Sequence, residues 1–96
     1  MTTTGTMKER RLYEEKAKAE MQLLKSRLEL LRAKVAARVR LREELDRLEG
    51  KKDGLERKMT GAKAVAAEAW DEFRTGVDKA RRELADGLEH IAEKLR

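Results

Sequence analysis

The sequence predicts an all-α protein built as a long antiparallel helical hairpin, that is, a coiled coil. Three observations predict this fold: apolar residues recur at alternating steps of three and four, 45% of the residues are charged, and proline is absent. A seven-residue apolar repeat makes helices pack along a common seam. A composition rich in Ala, Glu, Lys, Leu and Arg with helical periodicity is typical of coiled coils and long helices.

The apolar repeat changes its period along the chain. It follows a heptad from Met21 to Ala62, and then an eleven-residue repeat places Phe73, Leu84 and Leu95 at equal steps. A heptad imposes a left-handed supercoil, whereas an eleven-residue repeat runs nearly straight or slightly right-handed. The predicted interaction seam consists of Met21, Leu24, Leu28, Leu31, Val35, Leu41, Leu45, Leu48, Leu55, Met59, Phe73, Val77, Leu84, Leu88 and Ile91.

The first helix is predicted from the signals at its N-terminus. Residues 1–5 are small and polar at a chain end, and we expect them to be disordered. Thr6 and Glu9 then form a capping-box pattern, in which each side chain accepts a hydrogen bond from the other residue's backbone amide. The predicted helix covers residues 7–49, because nothing in that range breaks a helix.

The second helix is predicted from a stop signal that is followed closely by a start signal. Gly50 suits the left-handed residue just after a helix end, and Asp53 suits an N-cap. This pattern predicts a turn at 50–53 and a helix over 54–95. The two predicted helices and the turn between them make one hairpin domain over 6–96.

One interruption of the heptad leaves an alternative open. The repeat slips between Val35 and Leu41, where residues 36–38 replace an apolar seam position. The slip is either a coiled-coil stammer or a second turn that makes a three-helix arrangement. The stammer is favoured, because Ala-Ala-Arg contains no turn chemistry.

A second apolar row beside the seam predicts self-association. Leu23 and Leu30 lie next to the seam leucines and widen the apolar stripe of the first helix. A two-helix hairpin cannot cover so wide a stripe from one side. We therefore expect a homo-oligomer, and a dimer of hairpins that forms a four-helix bundle is the simplest arrangement.

The residue types and spacings that catalysis or metal binding needs are missing. The chain has no cysteine, which excludes disulfides, thiol chemistry and thiolate zinc sites. His90 is the only histidine, and one imidazole beside two carboxylates is too small a ligand set for a metal. Adjacent acidic residues such as Glu43 and Glu44 point in different directions on a helix and form no acid–base dyad. We therefore predict no catalytic residue, no metal and no cofactor, and we do not expect an enzyme.

Two features favour a cytoplasmic location. No apolar run approaches the roughly 18 residues that span a bilayer. The start of the chain contains no apolar core of the kind that a secretory signal needs. The cytoplasm is therefore the expected compartment.

One stretch of the second predicted helix resembles a known group of proteins. It covers residues 69–84 and contains Trp70, an acidic pair, Phe73, and the run Gly-Val-Asp-Lys-Ala over 76–80. It resembles the C-terminal segment of small bacterial coiled-coil proteins of unassigned function, some of which are described as stress-associated. The resemblance implies a stress-related accessory role. The eleven-residue repeat is similar to that of the exchangeable apolipoproteins, which implies binding to a lipid surface.

Two functions are predicted, and they differ in the role that they assign to a basic stretch of the chain. The net charge is +5, and Glu29 is the only acidic residue among seven basic ones between residues 25 and 42. The first hypothesis is a non-catalytic coiled-coil interaction or scaffold protein with an unknown protein partner. The alternative is an amphipathic binder of an anionic surface, either membrane or nucleic acid. Its anion-binding residues would be Lys25, Arg27, Arg32, Lys34, Arg38, Arg40 and Arg42.

Overall fold

The computed structural model describes residues 7–96, which form three helices. Helix α1 spans Met7–Val35, α2 spans Val39–Thr60 and α3 spans Trp70–Lys94. Within these residues there is no strand, so the predicted all-α class is confirmed.

Two sequence predictions concern the part of the chain before Met7. The expected disorder of residues 1–5 and the cap at Thr6 lie outside the described residues. The helix predicted to follow them does begin at Met7.

Helices α1 and α2 are antiparallel. Lys25 of α1 forms an ion pair with Glu56 of α2 at 3.1 Å, and Arg32 forms one with Asp46 at 3.1 Å. As the residue number rises along α1, the partner's number falls along α2. The two helices therefore run in opposite directions on either side of a short connection.

Helix α3 runs parallel to α1 and completes an up-down-up bundle. The Tyr13 hydroxyl donates to Asp78 at 2.9 Å, and Glu20 forms an ion pair with Arg81. Both residue numbers rise together, so α1 and α3 have the same direction. The resulting rod measures 53 × 17 × 16 Å.

The predicted turn at 50–53 is wrong, because these residues lie inside α2. Leu48 and Leu55 are both in the core, with exposed fractions of 8% and 3%. Seven residues make almost two helical turns, so an unbroken helix places both leucines on one face. Burying each leucine contributes about 1.5–3 kcal/mol, which outweighs the roughly 1 kcal/mol that each of Gly50 and Gly54 costs in a helix.

The chain turns instead at residues 36–38, so the favoured stammer is wrong and the alternative of a second turn is right. Val35 and Leu41 are both buried, with exposed fractions of 0% and 6%. Along a helix, a step of six residues advances the side-chain direction by one full turn and about 240°. Val35 and Leu41 would then point to different faces, so one continuous helix could not bury both side chains. Arg38 has an extended backbone, and its amide donates to the Val35 carbonyl at 2.6 Å.

A second break, at residues 61–69, interrupts the predicted helix over 54–95. Two 3-10 helical turns in this connection are separated by extended backbone at Val65 and Ala66. The break sends α3 back along α2 and places the side chain of Trp70, which is 1% exposed, inside the bundle. The predicted two-helix hairpin is therefore replaced by a three-helix bundle within one chain.

Gly87 brings α2 and α3 close together in the middle of the bundle. A Cβ atom at Gly87 would lie 2.5 Å from Leu48 Cδ2, which is closer than two non-bonded carbon atoms can approach. The bare backbone of α3 therefore makes room for a leucine of α2.

Candidate interaction surface

The predicted interaction seam lies inside the bundle. Thirteen of its fifteen residues form the buried core, and Met59 and Phe73 are partly buried against that core. The seam residues of α1, α2 and α3 therefore bury one another within a single chain. The seam is therefore not an exposed binding surface.

Two of the predicted anion-binding residues are used within the bundle. Lys25 pairs with Glu56 at 3.1 Å. Arg32 pairs with both Asp46 and Glu49, and its hydrogen bond to Asp46 is the main cause that raises the pKa of this guanidinium. These contacts fasten α1 to α2, so both side chains have a structural role.

Two more of these residues donate to backbone carbonyls near the first turn. Arg38 Nη1 donates to the Lys94 carbonyl at 3.1 Å, where α3 ends, and Arg42 Nη1 donates to the Ala36 carbonyl at 3.4 Å. The predicted basic stretch is thus divided among several contacts. Arg27, Lys34 and Arg40 are exposed and form neither an ion pair nor a side-chain hydrogen bond among residues 7–96.

The outer side of α1 carries a row of exposed leucines. Leu12, Leu23 and Leu30 have exposed fractions of 56%, 56% and 59%, and we call them the outer leucine row. Leu12 and Leu30 are five full turns apart, and Leu23 is within about 20° of the same line. The row lies on a different face of α1 from the one that packs on α2 and α3. This feature is an exposed apolar stripe on an otherwise charged helix.

The leucines belong to a second heptad on the outside of the bundle. Between and after them, at the same alternating steps, come small residues and one lysine, all of them exposed. We call the full set the outer seam. Its members are Leu12, Lys16, Ala19, Leu23, Ser26, Leu30 and Ala33. Sequence reasoning found Leu23 and Leu30 but missed the rest, although the same spacing rule would have found them.

Charged residues border the outer seam on both sides. Glu20 and Arg27 lie seven residues apart on the side near α3, and Glu15 and Glu29 lie on the opposite side. Glu20 already forms an ion pair with Arg81 of α3, while its side chain keeps 39% exposure. An apolar centre with a charged border is the usual anatomy of a protein-binding surface.

An aromatic cluster fixes one end of α1 against the start of α3. The Tyr13 and Trp70 rings meet edge to face with centroids 5.6 Å apart, and Trp70 stacks on Phe73 at 5.4 Å. The Arg10 guanidinium lies 4.5 Å from the Trp70 ring centroid and donates to the Val65 carbonyl at 2.7 Å. This cluster holds the second break of the chain in place.

The Tyr13 hydroxyl is occupied by this packing. It donates to Asp78 Oδ1 at 2.9 Å, and the Arg74 carbonyl oxygen, at 3.3 Å, is a second acceptor of the same hydrogen. Burial, followed by the hydrogen bond to the Asp78 carboxylate, raises the pKa of Tyr13 well above its usual value. The hydroxyl therefore stays protonated and joins α1 to α3.

Residues 7–96 contain no group of three or more His, Cys, Asp or Glu side chains that could hold a metal ion. The imidazole of His90 is exposed on α3. None of the described helices is long and apolar enough to cross a membrane.

No protein-family model matches this chain, and neither a curated protein nor a solved structure does. The resemblance of residues 69–84 to small bacterial coiled-coil proteins therefore stays a prediction. In the bundle the large apolar residues of that stretch pack inward, with Trp70 and Val77 buried and Phe73 partly buried. The stretch thus has a structural role in attaching α3.

Proposed function

We propose that this protein is a non-catalytic helical interaction protein, a scaffold or accessory, which binds a partner along the outer seam of α1. The observation that carries the proposal is the outer leucine row, whose three side chains are each more than half exposed. Exposed apolar stripes with polar borders mark interaction sites, whereas scattered single apolar residues do not.

The spacing of the outer seam favours a helix as the partner. In helical packing, large side chains insert into holes between residues three and four positions apart on the facing helix. Ala19 and Ser26 leave such holes between the leucines, and Ala33 leaves one after Leu30. A partner helix could lie along this surface over most of the length of α1.

The size of the leucine row supports reversible binding. Full burial of one leucine contributes about 1.5–3 kcal/mol, so covering the exposed halves of three gives roughly 2–5 kcal/mol. Association costs at least about 4 kcal/mol in lost freedom, so packing of the small residues must add to the leucine contribution. We expect a complex that forms and separates, as an accessory protein requires.

Photo-crosslinking in cells that make the protein tests this proposal. A photoreactive side chain in place of Ser26 lies in the outer seam, and one in place of Asp86 lies on an exposed position of α3. We expect adducts from position 26 only, and we expect Leu23→Glu to remove them. The matched control is Val39→Glu, which changes an exposed apolar residue of α2 that is 61% exposed. Equal adducts from both positions, or adducts that survive Leu23→Glu, would overturn the proposal.

Binding to an anionic surface is the second candidate function. It is favoured by the exposed side chains of Arg27, Lys34 and Arg40, which form no ion pair among residues 7–96. Arginine and lysine side chains bind the phosphates of nucleic acids and anionic lipids, and this binding weakens steeply as the salt concentration rises. Duplex DNA and vesicles with anionic lipids, each at low and raised salt, test this candidate. Absence of binding to both at low salt would remove it.

A further inference from the structure

We infer that the partner of the outer seam is a second copy of this chain, whose α1 lies antiparallel to the first. The inference rests on the proposed function, because it names the occupant of the same surface. Two features of α1 carry it: the order of large and small residues, and the position of the charges. The length of the seam determines how strong the dimer is.

Large and small residues alternate along the outer seam so that two antiparallel copies of α1 are complementary in shape. A two-fold axis between residues 24 and 25 places Leu23 opposite Ser26 of the partner subunit. The same axis places Ala19 opposite Leu30 of the partner subunit, and Lys16 opposite Ala33 of the partner subunit. Each layer then joins one long side chain to one small one, which is the condition for knobs to enter holes.

A parallel arrangement of the two copies loses this complementarity. It would place each leucine of the row against its own copy, and each small residue against its own copy. It would also place Lys16 against Lys16 of the partner subunit, and like charges at facing positions repel. Glu15 would lie near Glu20 of the partner subunit, which adds a second repulsion.

The charges on the border fit the antiparallel arrangement. Glu20 comes within about two residues, or ~3 Å along the axis, of the level of Arg27 of the partner subunit. The symmetry makes this contact twice. Glu20 would then lie between that guanidinium and Arg81 of its own chain, with which it already forms an ion pair. Such charge pairs fix the orientation of a complex more than its affinity.

The length of the seam sets the strength of the dimer. Residues 14–35 of the two copies overlap over 22 residues, which is ~33 Å of helix with a width of ~10 Å. This gives a face of about 330 Å² per partner, below the ~800 Å² per partner of stable complexes. The dimer should therefore be reversible, with a dissociation constant in the micromolar range or weaker.

Sedimentation of the purified protein over a range of concentrations tests the second copy as partner. The mass should rise from 11.1 kDa towards twice that value as concentration increases. Leu23→Glu should weaken this association at least about tenfold, which corresponds to ~1.4 kcal/mol. Val39→Glu should leave it unchanged, and circular dichroism should show the same helix content for both variants. A mass that stays at one chain at every concentration would overturn the inference.

Cysteine cross-linking tests the antiparallel alignment, since the chain has no cysteine of its own. Lys16→Cys and Ala33→Cys are both at exposed positions and keep all three leucines. Two copies of position 16 would be about 26 Å apart in the antiparallel dimer, too far for a disulfide, which needs Cα atoms within ~7 Å. We therefore expect a disulfide only when the two variants are mixed.

The outcomes separate this inference from the proposed function. Disulfides within each variant alone would show a parallel dimer and overturn the alignment. No disulfide in any sample, together with adducts from position 26 that contain a different protein, would overturn the second copy as partner and leave the proposed function standing.

Discussion

Two regions of this molecule have the opposite conformation to the one that their residue types favour. Gly50 and Gly54 lie inside the continuous helix α2. Residues 62–69 include five alanines, yet they form two separate turns and an extended stretch instead of a helix. Glycine disfavours a helix by about 1 kcal/mol per residue relative to alanine. In both regions the packing of neighbouring side chains overrides that preference.

The packing that decides each region can be named. Leu48 and Leu55 flank the glycines and are both buried, which they can be only if the helix continues between them. Trp70 follows the alanine-rich segment, and its ring is enclosed by Arg10 and the aromatic side chains of α1 and α3. Alanine contributes little burial of its own, so the larger residues at the ends of the segment determine its path.

Proline substitutions give the largest expected difference between the two regions. Asp53→Pro places a proline inside α2 and should destabilise the fold by about 3 kcal/mol or more. Ala67→Pro should be neutral or stabilise by up to about 1 kcal/mol, because it begins a turn. Ala66 before it already has the extended backbone (φ −67°, ψ 154°) that proline requires of its predecessor. Urea unfolding followed by circular dichroism measures both. Similar losses for the two variants would contradict the helix boundaries.

The sequence allowed the buried face of each helix to be predicted but not the helix pairing. The heptad identifies residues such as Leu28, Leu45 and Leu88 as buried, and all three lie in the core. The same pattern fits a hairpin or a three-helix bundle, because a heptad specifies a face and not the helix that covers it. For this reason most of the core was predictable and the topology was not.

The two chain breaks differ in how far the sequence reveals them. The six-residue step from Val35 to Leu41 is incompatible with one helical face, so the first turn was encoded in the spacing. Across the second break the apolar positions Met59, Ala62, Ala69 and Phe73 continue at helical spacing. That break depends on contacts with α1, which is distant in sequence. Only Leu23 and Leu30 of the seven outer-seam residues were predicted. The alanines and the serine are not apolar enough to stand out, and Leu12 is eleven residues before the next leucine of the row.

Arg10 should be the residue of α1 on which the second break depends most. Arg10→Ala removes the contact with the Trp70 ring and the hydrogen bond to the Val65 carbonyl, and should cost about 1–2 kcal/mol. This value is lower than the two contacts alone would give, because the buried Nε of Arg10 has no hydrogen-bond partner among the described residues. Removing an unsatisfied buried donor recovers part of the free energy that is lost. Arg11→Ala, at the exposed neighbouring position, is the matched control and should cost almost nothing. Hydrogen exchange should show faster opening of residues 61–69 in the first variant only.

Alanine in place of single glycines tests the packing of α2 against α3. Gly54→Ala should stabilise the fold by about 1 kcal/mol, because the added Cβ would have no atom within 4 Å apart from its chain neighbours and the backbone of its own helix. Gly87→Ala should destabilise it by about 1 kcal/mol, because the clash with Leu48 exceeds the gain in helix propensity. Thermal or urea unfolding compares the two directly. Stabilisation by both would mean that α2 and α3 are not in close contact at Gly87.

The ionisation of Tyr13 gives the smallest effect. Its pKa is raised in the folded protein by burial and by Asp78, whereas in the unfolded chain it should be near 10. Below that pH the hydroxyl is protonated in both states and its contribution to stability is complete. Above it the unfolded chain ionises first, which favours unfolding, so this contribution is lost as the pH rises.

Tyr13 is the only tyrosine, so ultraviolet absorbance follows its ionisation alone. The midpoint should be higher in the folded protein than in urea. Tyr13→Phe keeps the ring against Trp70 and should show a shallower loss of stability above pH ~10 than the parent. Equal midpoints in folded and unfolded protein would mean that the hydroxyl is open to water, and that α1 and α3 are not joined where the second break ends.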